Sequence, residues 1–511
     1  MRRMSRMRHA SWLALFAFGC TPNNGQDVRF SSRFLYGTAI AGFQTEMGCP
    51  TLAAADCEDR HSDWYDFITN PALVSAPNLF IAGDPPSAGP GFYELYEQDL
   101  DRAANDLHNN SLRISIEWSR LFPTATDGIE GQDALRASAS PAALAYYHAL
   151  LSAMKARGLT PMVTLNHYTL PSWLHDAHGC HVDIDHCVNR GWVDHDRIVP
   201  EIAKYARFVA TEFGGDIDLY ATLNEPLTAV VLVGYLFQTA QRTNPPAVFF
   251  RTEEAKATYR NMIEAHARMY DAVKAADTID ADGDGEAARI GIVYNLQSVA
   301  PEWPGDPQDE RGAANMDYVM NQMFLDGVAK GDFDADMDGH PVHRDDLAGR
   351  MDFLGVNYYA RTIAEGTPSS LFPEVSPLIT FNLISLRYDY DYPKGIYDVL
   401  MFGRRYGVPM IITETGVSED QPDKIASWLV RTMTWVQRAI HDGADVEGYY
   451  TWTLMDNYEW NHGMSFNMGL YAVDKNDPQK TRHARSGVDV YGRIAAGGKI
   501  PADLLSRYPA N

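Results

Sequence analysis

Two glutamates stand where this chain could carry out chemistry, because each follows a strand-like run and precedes a chain breaker. Glu225, in the sequence TLNEP, follows Asp218–Leu223, and Glu414, in ITETG, follows Val408–Thr413. A carboxylate at the point where a buried strand becomes a loop can face a pocket, and a pair of them is what cleavage of a glycosidic bond requires. Taken singly, each could equally be an ordinary loop residue, and the Asn-Glu-Pro around Glu225 is also typical of a helix start.

Strand-like runs alternate with amphipathic stretches along most of the chain. The predicted strands are Phe34–Gln44, Leu112–Trp118, Pro161–Asn166, Asp218–Leu223, Arg289–Tyr294, Asp352–Tyr359, Met410–Thr413 and Val446–Thr453. The predicted helices include Ala142–Arg157, Pro200–Phe213, Glu253–Ala276, Lys394–Arg405 and Lys424–Asp442. This alternation favours a single closed α/β barrel of the (β/α)8 TIM type. In that fold the active site lies at the carboxyl ends of the strands, so Glu225 would follow strand four and Glu414 strand seven.

Composition narrows the classes of partner. The chain has 511 residues, of which 45% are hydrophobic and 22% charged, and these are globular values. Length alone would allow two or three domains, but barrel folds run long as single domains. The formal net charge is −24 and no basic cluster occurs beyond the N-terminus. Nucleic acid and anionic membrane surfaces are therefore poor partners, whereas neutral sugars are not repelled.

The N-terminus has the pattern of an export signal. Four arginines within the first eight residues precede the short apolar stretch Ser11–Gly19, which is too short to span a bilayer. Gly19-Cys20 resembles a bacterial lipoprotein cleavage site, at which Cys20 would be acylated. We therefore expect a signal peptide over residues 1–19, a tether over 20–30, a catalytic domain over 31–505, and a lipoprotein of the periplasm or cell surface. A plain secretory signal or a mis-called start codon remains the alternative.

Four further cysteines occur in two close pairs. Three connectivities are open, and local pairs, Cys49–Cys57 and Cys180–Cys187, are favoured over free thiols because short spacings suit small disulfide loops in an exported protein.

A series of motifs resembles glycoside hydrolase family 1, the β-glucosidase and β-galactosidase family, and especially its archaeal β-glycosidases. The resemblance runs from about Phe34 to about Ile494. Its motifs are Phe34–Gly37 (FLYG), Gln44–Glu46 (QTE), Ser62–Tyr65 (SDWY), Arg113–Pro123 (RISIEWSRLFP), Asn166–Tyr168 (NHY), TLNEP, Gly355–Tyr359 (GVNYY), ITETG and Trp452–Trp460 (WTLMDNYEW). One such motif would be weak, but the ordered series is specific.

The resemblance implies a retaining mechanism with two roles for the glutamates. Glu225 would be the acid/base and Glu414 the nucleophile, with their carboxyl groups about 5 Å apart. Arg113 would lie beside Glu414 and favour its charged form. Asn357 and Tyr359 are two residues apart on a strand and so face the same side, which would leave Tyr358 on the opposite, helix-packing side. In the family, the tyrosine at position 359 bonds the nucleophile.

The resemblance also implies a pocket for the terminal sugar, the glycone. Its members would be Gln44, His167, Asn224, Trp452, Glu459 and Trp460, with Asn224 on the 2-hydroxyl. Outside this pattern His167 and the two tryptophans would usually be core residues, and Arg113 an ordinary ion-pair partner. The implied activity is exo-hydrolysis of small β-glycosides, with no required cofactor and no catalytic metal. The alternatives are a catalytically silent carbohydrate-binding barrel, since some relatives have lost a catalytic glutamate, and mainly transglycosylation.

Three positions depart from the family pattern. Thr415 replaces an Asn, Tyr168 a Trp and Met468 a Phe, and we expect all three to touch pocket walls and to alter substrate preference. The set that binds a sugar 6-phosphate in part of the family is not evident after Trp460, which favours a non-phosphorylated sugar.

Two acidic loops read D-x-D-x-D-G, the first half of a calcium loop, and start at Asp280 and Asp334. In the second, Asp334, Asp336, Asp338 and the closing Asp345 could bind a structural calcium ion. In the first, the closing position is Gly291. A pair of solvated turns is the preferred interpretation of both.

Overall fold

A closed barrel of eight parallel strands forms the centre of the computed structural model, which describes residues 29–367 and 383–510. The strands are β1 Leu35–Ala39, β2 Ser111–Ser115, β3 Thr160–Asn166, β4 Leu219–Asn224, β5 Arg289–Asn295, β6 Phe353–Tyr358, β7 Met410–Thr415 and β8 Val446–Trp452. Each strand pairs with its sequence neighbours, and β1 closes the barrel by pairing with both β2 and β8. The predicted (β/α)8 fold is confirmed. The predicted signal peptide, Cys20 and most of the predicted tether lie outside the described residues.

The strands are buried on both faces, as expected when helices cover the outside and side chains fill the inside. Inside, an apolar layer that includes Met162, Phe353 and Tyr450 occupies the barrel. Outside, Tyr358 turns toward the helices, as its alternation with Asn357 and Tyr359 predicted, and its hydroxyl donates to the Tyr392 carbonyl at 2.6 Å. The barrel is thus a packed core, and polar groups collect at the carboxyl ends of its strands.

The helices lie close to their predicted positions. The longer ones are Phe92–Asp101, Pro141–Ala156, His195–Phe213, Thr252–Ala276, Pro307–Asp317, Met323–Lys330, Gly395–Gly403, Lys424–His441 and Ser486–Gly497. Pro141–Ala156 shows why such a segment starts where it does. Ser140 accepts a hydrogen bond from the Ala143 backbone N–H at 3.3 Å, and Pro141 occupies the first turn, where no backbone donor is needed.

The first predicted strand was too long. Strand β1 ends at Ala39, and Gly42–Glu46 forms a short helix, so Gln44 lies on a helix rather than on a strand. The buried ion pair between Glu46 and Arg120, at 2.7 Å, and the hydrogen bond from the Thr45 hydroxyl to the Ala41 carbonyl, at 2.8 Å, hold this turn. Tertiary contacts therefore override the strand-like pattern and place Gln44 above the barrel.

Smaller elements complete the molecule. Ser298–Pro301, Arg361–Gly366 and Leu383–Asp389 form a three-stranded sheet, and two short ribbons pair Tyr471–Val473 with Arg482–Ala484 and Asp332–Phe333 with Val342–His343. The local disulfides Cys49–Cys57 and Cys180–Cys187 are both present, which confirms that pairing. In residues 29–367 and 383–510, every helix is too short or too polar to cross a membrane.

Candidate active site

Glu414 lies within strand β7, one residue before its end, and is buried, with 3% of its surface exposed. The pairing of β7 with β6 shifts register between Ile412 and Glu414, and such bulges re-aim side chains next to active sites. One carboxylate oxygen forms an ion pair with Arg113 of β2, and the other accepts a hydrogen bond of 2.7 Å from the Tyr359 hydroxyl. Both oxygens are thus held by donors, as a carboxylate that must stay in one position requires.

Glu225 directly follows strand β4 in a left-handed backbone conformation, with φ at 44°. Its backbone N–H donates to the Val293 carbonyl, and the helical segment Pro226–Leu232 begins at the next residue. One carboxyl oxygen accepts from the Asn357 amide at 2.8 Å and the other from the Tyr168 hydroxyl at 2.9 Å. A non-glycine residue at positive φ is uncommon, and such strain is concentrated at functional sites.

Asn224 connects the two glutamates. Its amide oxygen accepts from Arg113 at 2.8 Å and from Asn357 at 3.2 Å, and these two residues also bond Glu414 and Glu225 respectively. The carboxyl groups of β4 and β7 therefore belong to one hydrogen-bond network.

The same network fixes the state of His167. Because the Asn224 oxygen is engaged, its NH2 group faces His167 and donates to Nε2 at 3.2 Å. Nε2 must then accept, so the ring proton lies on Nδ1. Burial, reinforced by the charges of Arg113 and Arg242, lowers the pKa of His167 well below its usual value, so the imidazole is neutral.

A second polar group lies at Gln44, Asn457 and Glu459. The Gln44 amide donates to the Glu459 carboxylate at 3.1 Å and to Asn457 at 3.3 Å. Gln44 Oε1 and His167 Nδ1 are buried and have no hydrogen-bond partner within the described part of the chain. Together they offer one acceptor and one donor, which a hydroxyl-bearing ligand could use.

The two predicted tryptophans enclose this region. Trp452, at the end of β8, stacks on His167 with ring centroids 5.8 Å apart. Trp460 lies among aromatic rings that include Trp64 at 4.6 Å and Tyr168 at 4.9 Å, and only 1% of its surface is exposed. The structure thus gathers the residues predicted for catalysis and sugar binding at one end of the barrel, around the ends of different strands.

The electrostatics of Glu414 are set by burial. Burial raises the pKa of Glu414 to about 7, the charge of Arg113 opposes that rise, and the neighbouring Glu225 adds to it. The Tyr359 hydrogen bond also opposes the rise, because it favours the ionised form. A carboxyl group with this pKa is still ionised above neutrality, where it could act as a nucleophile.

The departures from the family pattern differ in their positions. Tyr168 contacts Glu225 directly, and Met468 packs against the apolar layer inside the barrel. Thr415, in contrast, does not touch the pocket wall, because its hydroxyl accepts from the indole N–H of Trp428 on the helix side. Arg242, which pairs with Glu459, belongs to none of the motifs, and the sequence indicated it only by the length of its loop, residues 236–251.

The predicted calcium ligands do not come together. Asp334 is buried and accepts from the Tyr318 hydroxyl at 2.9 Å, whereas the Asp345 side chain is fully exposed and pairs with His343 at 3.1 Å. That pairing draws the proposed closing ligand away from Asp334. Among the described residues, the acidic group close enough to hold a metal ion is Asp218, Asp280 and Asp282.

Comparisons with known proteins agree with this arrangement. Residues 26–499 match the family profile described as Glycosyl hydrolase family 1. A β-galactosidase of Pyrococcus woesei is 32% identical over 93% of this chain and 99% of its own length. The crystal structure of a β-glycosidase from Thermosphaera aggregans superposes with a TM-score of 0.79 at 29% identity, over 94% of this chain and 99% of that one. The crystal structure of a β-glucosidase from Pyrococcus furiosus gives a TM-score of 0.77 at 27% identity, over 94% of this chain and 99% of that one.

Proposed function

The chain belongs to glycosyl hydrolase family 1, and we propose that it is a retaining, exo-acting β-glycosidase that removes the terminal non-reducing sugar from small β-glycosides. The observation that carries this proposal is the shared network of Glu225 and Glu414, in which each carboxyl group has its own donors. The relatives named above are β-galactosidases, β-glucosidases and β-glycosidases, and we extend hydrolysis of β-linked sugars to this chain from them.

The first step forms a covalent glycosyl-enzyme. Glu414 attacks the anomeric carbon while Glu225 gives its proton to the departing glycosidic oxygen, so that the aglycone leaves as an alcohol. Arg113 and Tyr359 hold the nucleophile in place for this attack. The positive charge that develops on the sugar ring lies beside the Glu414 carboxylate, which stabilises it.

The second step returns the enzyme to its starting state. Glu225, now a carboxylate, takes a proton from water, the resulting nucleophile attacks the anomeric carbon, and the bond to Glu414 breaks. Two inversions at one carbon leave the configuration unchanged, so a β-glycoside gives the β-sugar first. Asn357 and Tyr168 keep Glu225 oriented through both steps.

Hydrolysis of a panel of aryl β-glycosides tests the proposal, with the product followed by proton NMR. We expect turnover of at least one β-glucoside, β-galactoside or β-fucoside, with the β-anomer appearing before mutarotation. Tight sugar binding without turnover would favour the silent barrel, and the α-anomer as first product would exclude a retaining mechanism.

The raised pKa of Glu414 predicts that the pH profile of kcat/KM has an acid limb, in which the rate falls as the pH falls. As pH falls through about 7, Glu414 becomes protonated and cannot attack, so kcat/KM should fall about tenfold for each further pH unit. A 2,4-dinitrophenyl glycoside is the suitable substrate, because its leaving group needs no proton from Glu225. In Tyr359→Phe the limb should move to higher pH, since a hydrogen bond that favours the ionised Glu414 is lost. A constant rate down to pH 5 would contradict this assignment.

No cofactor is proposed for the reaction, because two carboxyl groups of the chain supply both steps. A structural calcium ion in the acidic loops stays a prediction, and melting curves in millimolar calcium and in chelator test it. A calcium-dependent rise in melting temperature that is lost in Asp280→Asn, whose carboxylate lies near Asp218 and Asp282, and kept in Asp345→Asn would place the ion in the first loop and not at the predicted ligands Asp334, Asp336, Asp338 and Asp345. Loss of the rise in Asp345→Asn would place the ion in the second loop. Identical melting curves in calcium and in chelator would leave only the interpretation of both loops as solvated turns.

We also propose that the protein is exported and anchored by an acylated Cys20. The basic segment and apolar run before Cys20 support this, as do the two disulfides, which persist in oxidising compartments. Full-length protein should partition with membranes, and Cys20→Ser should release it, whereas the matched substitution Asn23→Ser should not. Full-length protein in the cytoplasm with free thiols would contradict export.

A further inference from the structure

Arg242 reaches the glycone pocket from a loop that no family motif covers. The loop, residues 236–251, connects the helix Val233–Tyr235 to the helix Thr252–Ala276. Two hydrogen bonds fix its backbone on either side of Arg242: His462 bonds the Gln241 carbonyl at 2.8 Å, and the Thr243 N–H donates to Asn461 at 3.3 Å. Asn461 and His462 directly follow Glu459 and Trp460 in the sequence. The two hydrogen bonds therefore hold the loop against the segment that carries Glu459.

The guanidinium group of Arg242 lies against three members of the site. It is 3.4 Å from Glu459, 5.4 Å from the centroid of the Tyr168 ring and 5.8 Å from that of Trp460. These positions place a positive charge on two aromatic faces within the usual range of a cation–π contact. The side chain is 24% exposed, so part of it remains accessible to a ligand.

The hydrogen bonding of this arginine is incomplete. Its contact with Glu459 is longer than the 2.7–2.9 Å usual for a charged pair, and it uses one terminal nitrogen. Nε and the other terminal nitrogen form no hydrogen bond within the described part of the chain. The second Glu459 oxygen bonds Gln44, whose own amide oxygen is buried without a partner. Unused donors and an unused acceptor therefore flank one carboxylate.

We propose that Arg242 is a specificity-determining residue, which orients Glu459 and donates its remaining N–H groups to an oxygen of the sugar bound beside that carboxylate. This inference rests on the proposed function. We place the anomeric carbon of a pyranose at Glu414, its 2-hydroxyl at Asn224 and its 3-hydroxyl at His167, the hydrogen-bond partner of Asn224. The 4- and 6-hydroxyls are then left for Gln44 and Glu459, which bond each other. The substrate class is thus a neutral β-hexopyranoside with free hydroxyls at positions 4 and 6, and Arg242 reads one of these two.

Matched glycosides that differ by one hydroxyl test the proposal. We would measure kcat/KM for wild type and Arg242→Met with 4-nitrophenyl β-glucoside and its 2-deoxy, 4-deoxy and 6-deoxy analogues. The variant should lose about 10–100-fold on the glucoside, the value of a hydrogen bond from a charged donor. The loss should be about tenfold smaller on either the 4-deoxy or the 6-deoxy substrate, and undiminished on the 2-deoxy one. Arg242→Lys should retain part of the activity, because the charge remains and the planar fork is lost.

Two comparisons separate this role from a structural one. Arg251→Met, in the same loop but paired with Asp185 and Glu254, should leave the discrimination unchanged. Arg242→Met and Glu459→Gln should be non-additive in a double-mutant cycle on the glucoside. The proposal would be overturned if Arg242→Met lost the same factor of activity on all four substrates or lost no activity. It would also be overturned if the variant gained activity because its smaller side chain opens the pocket.

Failure of the proposed function gives a different result. Dissociation constants of the same intact glycosides, measured in a Glu414→Gln background, do not depend on turnover. If wild type hydrolyses nothing but Arg242→Met weakens binding of the glucoside more than of one deoxy analogue, the enzyme assignment fails and the role of Arg242 stands. If wild type is active and this difference in binding is absent, the proposed role of Arg242 is wrong and the proposed enzymatic function still stands.

Discussion

Replacing Glu414 with alanine is expected to lower kcat on any β-glycoside by about 10⁵-fold or more, since removal of a covalent nucleophile has effects of this order. The variant has no group that can form the glycosyl-enzyme, and Arg113, fully buried, loses its ion-pair partner. The measurement is kcat on an activated aryl glycoside. Azide should restore turnover by entering the space of the missing carboxylate, and the product should be the α-glycosyl azide, because one displacement inverts the configuration.

Misfolding is excluded by two controls. Glu414→Gln keeps the volume and most hydrogen bonds of the site and should be equally inactive, with a melting temperature close to that of wild type. Glu253→Ala removes an exposed glutamate from the helix Thr252–Ala276 and should retain full activity. Near wild-type rates in either Glu414 variant would remove this residue from the mechanism.

Replacing Glu225 with alanine should give a different pattern, because this residue acts by proton transfer. We expect kcat/KM to fall about 10²–10⁴-fold on glycosides with poor leaving groups, the usual contribution of a general acid. On 2,4-dinitrophenyl glycosides, formation of the glycosyl-enzyme should proceed and its hydrolysis should become slow, so a burst of phenol should precede a low steady rate. Azide, which needs no base, should accelerate that second step and give the β-glycosyl azide.

The contrast between the two rescues makes the assignment specific. The two roles predict a glycosyl azide of inverted configuration from the Glu414 variant and one of retained configuration from the Glu225 variant. If the roles were exchanged, the two configurations would be exchanged as well. Tyr168→Phe is the matched control for Glu225, because it removes one of its hydrogen bonds and leaves the carboxyl group in place. Its loss should be much smaller than that of Glu225→Ala.

The sequence predicted the parts of the site that local pattern determines. Strand-like runs ending in polar residues placed Glu225 and Glu414 at the carboxyl ends of β4 and β7, because strand alternation and burial leave a periodic pattern. The same alternation correctly separated Tyr358 from Asn357 and Tyr359. Motif order supplied Gln44, His167, Glu459 and the tryptophans.

What the sequence missed depends on long-range contacts. Gln44 lies on a short helix that also carries Glu46, whose partner Arg120 is 74 positions further along the chain, and no local pattern records that contact. The hydrogen bond from Tyr168 to Glu225 and the approach of Arg242 to Glu459 arise from loops that meet only in the folded barrel. The register shift before Glu414 is likewise a property of two paired strands. In the second acidic loop, spacing alone could not show that Asp345 pairs with His343.

Trapping the covalent intermediate tests the central claim most directly. A 2,4-dinitrophenyl 2-deoxy-2-fluoro-β-glycoside slows both steps but keeps the reactive leaving group, so the glycosyl-enzyme should accumulate. Intact mass spectrometry should show one fluoro-sugar added to each chain, with release of one equivalent of phenol, and peptide mapping should place the label on Glu414. Labelling of Glu225 or another residue, or phenol release without any covalent adduct, would contradict a retaining mechanism with Glu414 as the nucleophile.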